Sequence, residues 1–115
     1  MTMPQSSIVS HLVLARARTG KSELLGERLL GLIEPSRNAD GCLKFTLQRS
    51  LQNPDLWLIV GCWVSEDAMN NWLTTPHLQV FSEVMKTYMV SSLDFHTFAT
   101  PEDADVAAEQ LTRAI

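Results

Sequence analysis

Histidine and tryptophan are the side chains of this sequence best placed to do chemistry together. From Gly41 to His77 the chain runs GCLKFTLQRSLQNPDLWLIVGCWVSEDAMNNWLTTPH. Trp63 closes an apolar strand, Trp72 lies on the helix that follows, and His77 comes directly after Pro76. His11 stands between Val9 and Val13 on an earlier apolar strand. Indole faces can stack on a planar aromatic ligand, and an imidazole can take or give a proton near neutrality. In the first turn of a helix the dipole disfavours the imidazolium, so His77 is expected to be neutral and able to accept a proton. His77 and His11 are the candidate catalytic residues.

Trp63, Trp72, Gly61, Trp57, Asn71 and Phe81 are the candidate ligand-binding residues. Trp57 and Gly61 share the strand face of Trp63, and Gly61 is expected to leave space beside that indole. Asn71 could turn inward from its helix as a donor, and Phe81 lies on the apolar stripe of the next helix. Each of the stronger candidates also has a plain structural reading. The tryptophans could be core packing, His77 a capping group, and His11 a satisfied core or interface residue. His96 reads as a surface or interface residue.

Other chemistries find little support. Cys42 and Cys62 are isolated, with no metal spacing and no CxxC pair, and read as small buried thiols in a reducing cytoplasm. No Ser/His/Asp arrangement and no paired carboxylates suggest hydrolysis. The net charge of −4 is uneven. Residues 101–115 hold Glu102, Asp103, Asp105 and Glu109 against Arg113, and no basic cluster occurs anywhere. A nucleic-acid partner is therefore not expected, because phosphate neutralisation drives such binding. No apolar run approaches the ~20 residues that span a bilayer, and the start MTMPQSSIVSH does not resemble a signal peptide. A cytoplasmic protein with no membrane partner is the expectation.

The elements that must position these side chains can be read from periodicity. With 115 residues, 45% of them hydrophobic and 19% charged, the chain suits one globular domain. Residues 1–6 are expected to fray. Ser7–Ala17 reads as a strand apolar on both faces, which calls for two covers. A turn at Arg18-Thr19-Gly20 leads to a helix capped by Ser22 or Thr19. Its stripe is Leu25, Leu29, Leu32 and Ser36, widened by Leu24, Leu30 and Ile33, and Pro35 should kink or end it. Cys42–Leu51 alternates with Leu43, Phe45 and Leu47 on one face. Gln52-Asn53-Pro54-Asp55 is a turn, and Leu56–Val64 is the second strand of the hairpin.

Ser65 reads as an N-cap, with Glu66 and Asp67 near the positive end of the dipole. Ala68, Met69, Trp72 and Leu73 form that helix's stripe. Thr75 is expected to cap a further segment with Pro76 at its first position; Leu78, Phe81, Met85 and Tyr88 or Met89 continue it. Ser91–Phe98 is a last strand, with Leu93, Phe95 and Thr97 on one face. Residues 99–115 read as an appended acidic helix capped by Thr100. The order β-α-β-β-α-β is that of a ferredoxin-like α+β fold, one antiparallel sheet with helices on one face. A second copy packed on the bare face would supply the missing cover, giving a homodimer.

Gly20-Lys21, Ser36-Arg37, the run GCLKFTLQRS, Asn53-Pro54, Trp63 and LTTPH carry a resemblance to a known family. From Ile8 to Phe98 the chain resembles the antibiotic biosynthesis monooxygenase domain of the dimeric α+β barrel group. That resemblance implies a cofactor-independent monooxygenase that oxidises a quinol or phenolic aromatic with O2. Such chemistry needs an apolar slot, a base at the phenol oxygen and exclusion of water. Three departures stand out. Val60-Gly61-Cys62-Trp63 lacks the acid the family usually carries before the tryptophan. Trp72 stands where the family usually has a histidine, and Ala39-Asp40-Gly41 replaces a Glu-Pro-Gly run. Two alternatives stay open: a non-catalytic ligand-binding or interaction domain of the same fold, and a haem-degrading relative. For the latter, Trp72 matches a pocket tryptophan and His11 the position of a first-strand Asn, but Ser82 occupies the region of the expected iron-ligating histidine.

Overall fold

Strict alternation along the first strand sets the two faces of the sheet. In β1 (Val9–Ala17), Val9, His11, Val13, Ala15 and Ala17 are buried, while Ser10, Leu12 and Leu14 are half-buried. In β3 (Leu56–Trp63), Ile59 and Trp63 are buried on the same face as Gly61. The computed structural model describes residues 8–101. Its other elements are α1 (Ser22–Leu30), α2 (Ile33–Arg37), β2 (Cys42–Arg49), α3 (Glu66–Leu73), a 3₁₀ turn (Pro76–Leu78), α4 (Gln79–Lys86) and β4 (Val90–Ala99). The strands form one antiparallel sheet in the order β2-β3-β1-β4. This is the ferredoxin-like α+β fold. The expected frayed residues 1–6 and most of the expected acidic C-terminal helix, residues 102–115, lie outside the described residues.

One face of the sheet holds the core. Val13, Ala15, Phe45, Ile59 and Trp63 pack there with Leu25, Leu29 and Leu32 from the α1–α2 region, Met69 and Trp72 from α3, and Phe81 and Val84 from α4. On the second face Leu12, Leu14, Leu58, Val60 and Cys62 are only half-buried in the single chain. Neither thiol is fully buried as expected; Cys42 and Cys62 are both half-buried and free.

Several local expectations need correction. Leu43 is exposed, because the β2–β3 register shifts between Cys42 and Lys44 and turns it away from the Phe45 face. The α1 stripe is narrower than expected: Leu25, Leu29, Leu32 and Ser36 are buried, but Leu24 and Leu30 face solvent. The helix breaks at Gly31-Leu32, one turn ahead of Pro35. A proline ring clashes with the carbonyl four residues before it, which here is Gly31. In α4 the buried residue after Phe81 is Val84, and Met85 is exposed. The 3₁₀ entry has about three residues per turn and resets the phase of the stripe. Met89, not Tyr88, is buried, because Tyr88 adopts a left-handed φ of 59° and swings outward.

Among the described helices, side-chain capping follows the sequence at one. The Ser65 hydroxyl accepts the Ala68 N–H at 3.1 Å. Thr75 instead donates back to the Trp72 carbonyl at 2.7 Å. Neither Ser22 nor Thr19 caps α1. Ser22 lies within the helix and donates to the Pro54 carbonyl at 2.6 Å. Its oxygen accepts from Trp57 Nε1 and from Arg49, each at 3.0 Å. One donor and two lone pairs are thereby all used, and α1 is tied to the β2–β3 turn.

Candidate functional site

The strand register brings His11 into the middle of the buried face. His11 is opposite Gly61 on β3 and Thr97 on β4, and Phe45 on β2 is opposite the same glycine. Gly61 therefore lies between an imidazole and a phenyl ring on neighbouring strands. The gap expected beside it is filled: a Cβ at position 61 would lie 3.0 Å from both Phe45 Cδ1 and Trp63 Nε1. The missing side chain lets two rings close over the backbone instead of leaving a roomy slot.

Trp72 packs onto this group from α3. Its ring centroid is 5.5 Å from His11 at 70°, 5.5 Å from Phe45 at 62°, and 5.0 Å from Trp63 at 35°. These are edge and tilted arrangements, in which the positive edge of one ring meets the negative face of another. The Trp72 N–H donates to Ser36 Oγ at 2.9 Å inside the core. Phe95 on β4 extends the chain of rings, 6.0 Å from His11 and 5.4 Å from Phe81, perpendicular to the latter. Phe95 is 50% exposed whereas His11 is 4% exposed, so the β4 side is where the cluster meets solvent.

Two buried polar atoms in this cluster have no hydrogen-bond partner among the described residues: His11 Nδ1 and Trp63 Nε1. Leaving such an atom unpaired costs about 1–3 kcal/mol, a penalty a ligand could remove. Burial pushes the His11 imidazole below its ordinary range, so near neutral pH it carries one N–H and one lone pair. The pair thus offers a proton acceptor and a fixed indole donor within aromatic walls.

Of the residues singled out in the sequence, His11, Gly61, Trp63 and Trp72 come together, and Phe81 joins them through Phe95. Trp57 does not. It lies six residues before Trp63, about 20 Å along a strand, with its N–H on Ser22 and its ring under the Arg49 guanidinium at 5.0 Å. Asn71 faces solvent on α3 and does not turn inward. His77 is exposed on the 3₁₀ turn that leads into α4, outside the cluster. It lines a surface groove of about 910 Å³ with Gln79, Glu83 and Lys86.

Phe45, Ser36 and Phe95 belong to the cluster and were not among the sequence candidates. Alternation placed Phe45 on an inward face without showing what it faced. Ser36 carried the clearer signal, as a hydroxyl continuing a leucine stripe.

A family model described as antibiotic biosynthesis monooxygenase matches residues 8–84. A solved structure of a candidate antibiotic biosynthesis monooxygenase from Deinococcus radiodurans is similar at 25% identity and a TM-score of 0.74, covering 83% of this chain and 93% of that one. A Shewanella oneidensis protein superposes with a TM-score of 0.76 at 21% identity, over 82% of this chain and 91% of its own. A Pseudomonas aeruginosa protein gives 0.75 at 22%, over 84% and 97%. These last two speak for the fold alone. No curated protein matches the chain closely enough to lend it a function.

Proposed function

The chain belongs to the antibiotic biosynthesis monooxygenase family, and from that premise we propose that it oxidises a quinol or other phenolic aromatic with O2, without a cofactor. The observation that carries this reading is the unpartnered pair, His11 Nδ1 and Trp63 Nε1, inside one aromatic cluster. His11 takes the phenolic proton, and the Trp63 N–H steadies the oxygen left negative. The electron-rich phenolate passes an electron to O2, and a carbon–oxygen bond forms. His11 returns its proton to the distal oxygen, which leaves as water once the carbon gives up its hydrogen, and the carbon keeps a carbonyl. The aromatic walls exclude bulk water while charge develops. Oxygen uptake with a panel of hydroquinones tests this; turnover no faster than the spontaneous rate across the panel overturns it.

A second reading, a ligand-binding domain without turnover, draws on how completely Phe45, Trp63 and Trp72 fill the space around Gly61. It expects phenols to quench tryptophan fluorescence without consuming oxygen.

The reading includes a homodimer. Leu12, Leu14, Leu58 and Val60 on the second sheet face, with Phe98 beside them on β4, form an apolar surface suited to a second copy. A stable monomer at micromolar concentration, measured by light scattering, would overturn it. Among the described residues no helix is long and apolar enough to cross a membrane. The free thiols Cys42 and Cys62 fit a cytoplasmic location.

A further inference from the structure

We propose that Ser36 is a positioning residue for this site: by accepting the Trp72 N–H it holds that indole in place and leaves Nδ1 of His11 free for the substrate hydroxyl. The inference rests on the reading of His11 given above and adds a residue that reaches the site only through another.

Position 36 continues the buried stripe of Leu25, Leu29 and Leu32, where an apolar side chain would be the simple solution. It is instead a serine with 0% exposure. A buried hydroxyl needs a partner, and the Trp72 N–H at 2.9 Å is one. The bond joins α2 to α3.

The inventory of the cluster shows what that bond prevents. Trp63 Nε1 is a donor and offers the Trp72 N–H nothing. His11 Nδ1 is the unpartnered atom there that can accept, and its ring stands 5.5 Å from the Trp72 ring. Leaving a buried N–H unpaired costs more than twisting a side chain partly off its preferred rotamer. Without Ser36 the indole would therefore turn its N–H toward His11 and occupy the nitrogen the reaction uses. The cross-strand partners of His11, Gly61 and Thr97, and the Phe95 ring beside it do not titrate.

The test is the titration of the His11 imidazole, followed by NMR in the free protein and assigned by its loss in His11→Gln. An N–H donated to the neutral ring favours the neutral form. In Ser36→Ala the midpoint is expected to fall further, by about half a pH unit or more. In a Trp72→Phe background, which has no indole N–H, the same substitution should move nothing. Ser36→Cys keeps the size with a weaker acceptor and should give a smaller shift of the same sign, which serves if the alanine variant folds poorly. A midpoint that stays or rises in both Ser36 variants overturns the proposal, as does a shift that persists in the Trp72→Phe background. These midpoints are read without substrate, so they stand or fall separately from oxygen uptake.

Discussion

The imidazole of His11 meets the indole of Trp72 at 70°, ring centroids 5.5 Å apart, although one comes from the first strand and the other from the third helix. An edge-to-face pair of this kind contributes about 0.5–1.5 kcal/mol beyond simple burial. It also fixes the plane of the imidazole, and with it the direction of the nitrogen that has no partner.

His11→Phe separates chemistry from packing. A phenyl ring suits the surrounding aromatics and removes one unpaired buried polar atom, so stability should hold or rise by about 1 kcal/mol. Oxygen uptake with a responsive quinol should fall about 100-fold or more, the usual scale of a lost general base. A stable variant that keeps its turnover would exclude His11 as the base. His77→Ala, altering an exposed side chain outside the cluster, should leave turnover within about two-fold of the parent.

Burial lowers the His11 pKa in the folded state, and the sign of the pH dependence follows. Below the unfolded value the denatured chain takes up the proton more readily than the native one, so stability is full above about pH 6.5 and declines as pH falls from there toward the lowered folded value. Thermal melts of the parent and of His11→Gln at pH 7.5 and 5.5 check this. The parent should lose more melting temperature over that interval than the variant; equal losses would refute the linkage.

Gly61→Ala places a methyl 3.0 Å from Phe45 Cδ1 and from Trp63 Nε1. Both rings belong to residues that are essentially fully buried, so neither can withdraw freely. A cost of about 1–3 kcal/mol is expected, as for other overpacked cores. Urea unfolding measures it, and a loss under 0.5 kcal/mol, roughly the scale of a neutral surface change, would show that the rings yield.

Gly26→Ala tests a different closure. Glycine inside α1 sacrifices about 1 kcal/mol of helix propensity relative to alanine. A Cβ there, however, would come within 2.5 Å of the Trp57 ring. That ring is held by the bond to Ser22 and lies under Arg49. The clash should outweigh the propensity, giving a net loss of about 1–2 kcal/mol; a stabilised variant would show that the indole shifts at little cost.

The fold was written in features that act locally. Alternation in β1 and β3, the turn residues Asn53-Pro54, and Ser65 ahead of two acids each report on their own neighbourhood, and together they specify the element order. The site depends on register, which is not local. That His11 and Phe45 share Gly61 follows from strand pairing that no single segment displays. Two of the residues singled out in the sequence lie apart from the cluster. Trp57 looked equivalent to Trp63 because both lie on one face of one strand, yet distance along the strand separates them. His77 does stand where a helical segment begins, but that start lies at the surface rather than against the buried face.

In the strand order β2-β3-β1-β4 the first strand made becomes an inner one, flanked by two strands made after it. During synthesis β1 emerges with apolar residues on both faces and nothing to pair with until β3 and then β4 have left the ribosome. The partners of His11, Gly61 and Thr97, arrive in that order. Such non-local pairing belongs to the slower folding regime, and an unpaired apolar strand invites aggregation while it waits. The cluster therefore waits for late-made elements: Gly61 and Trp63 on β3, Trp72 on α3 and Phe95 on β4 must all be in place before it is complete.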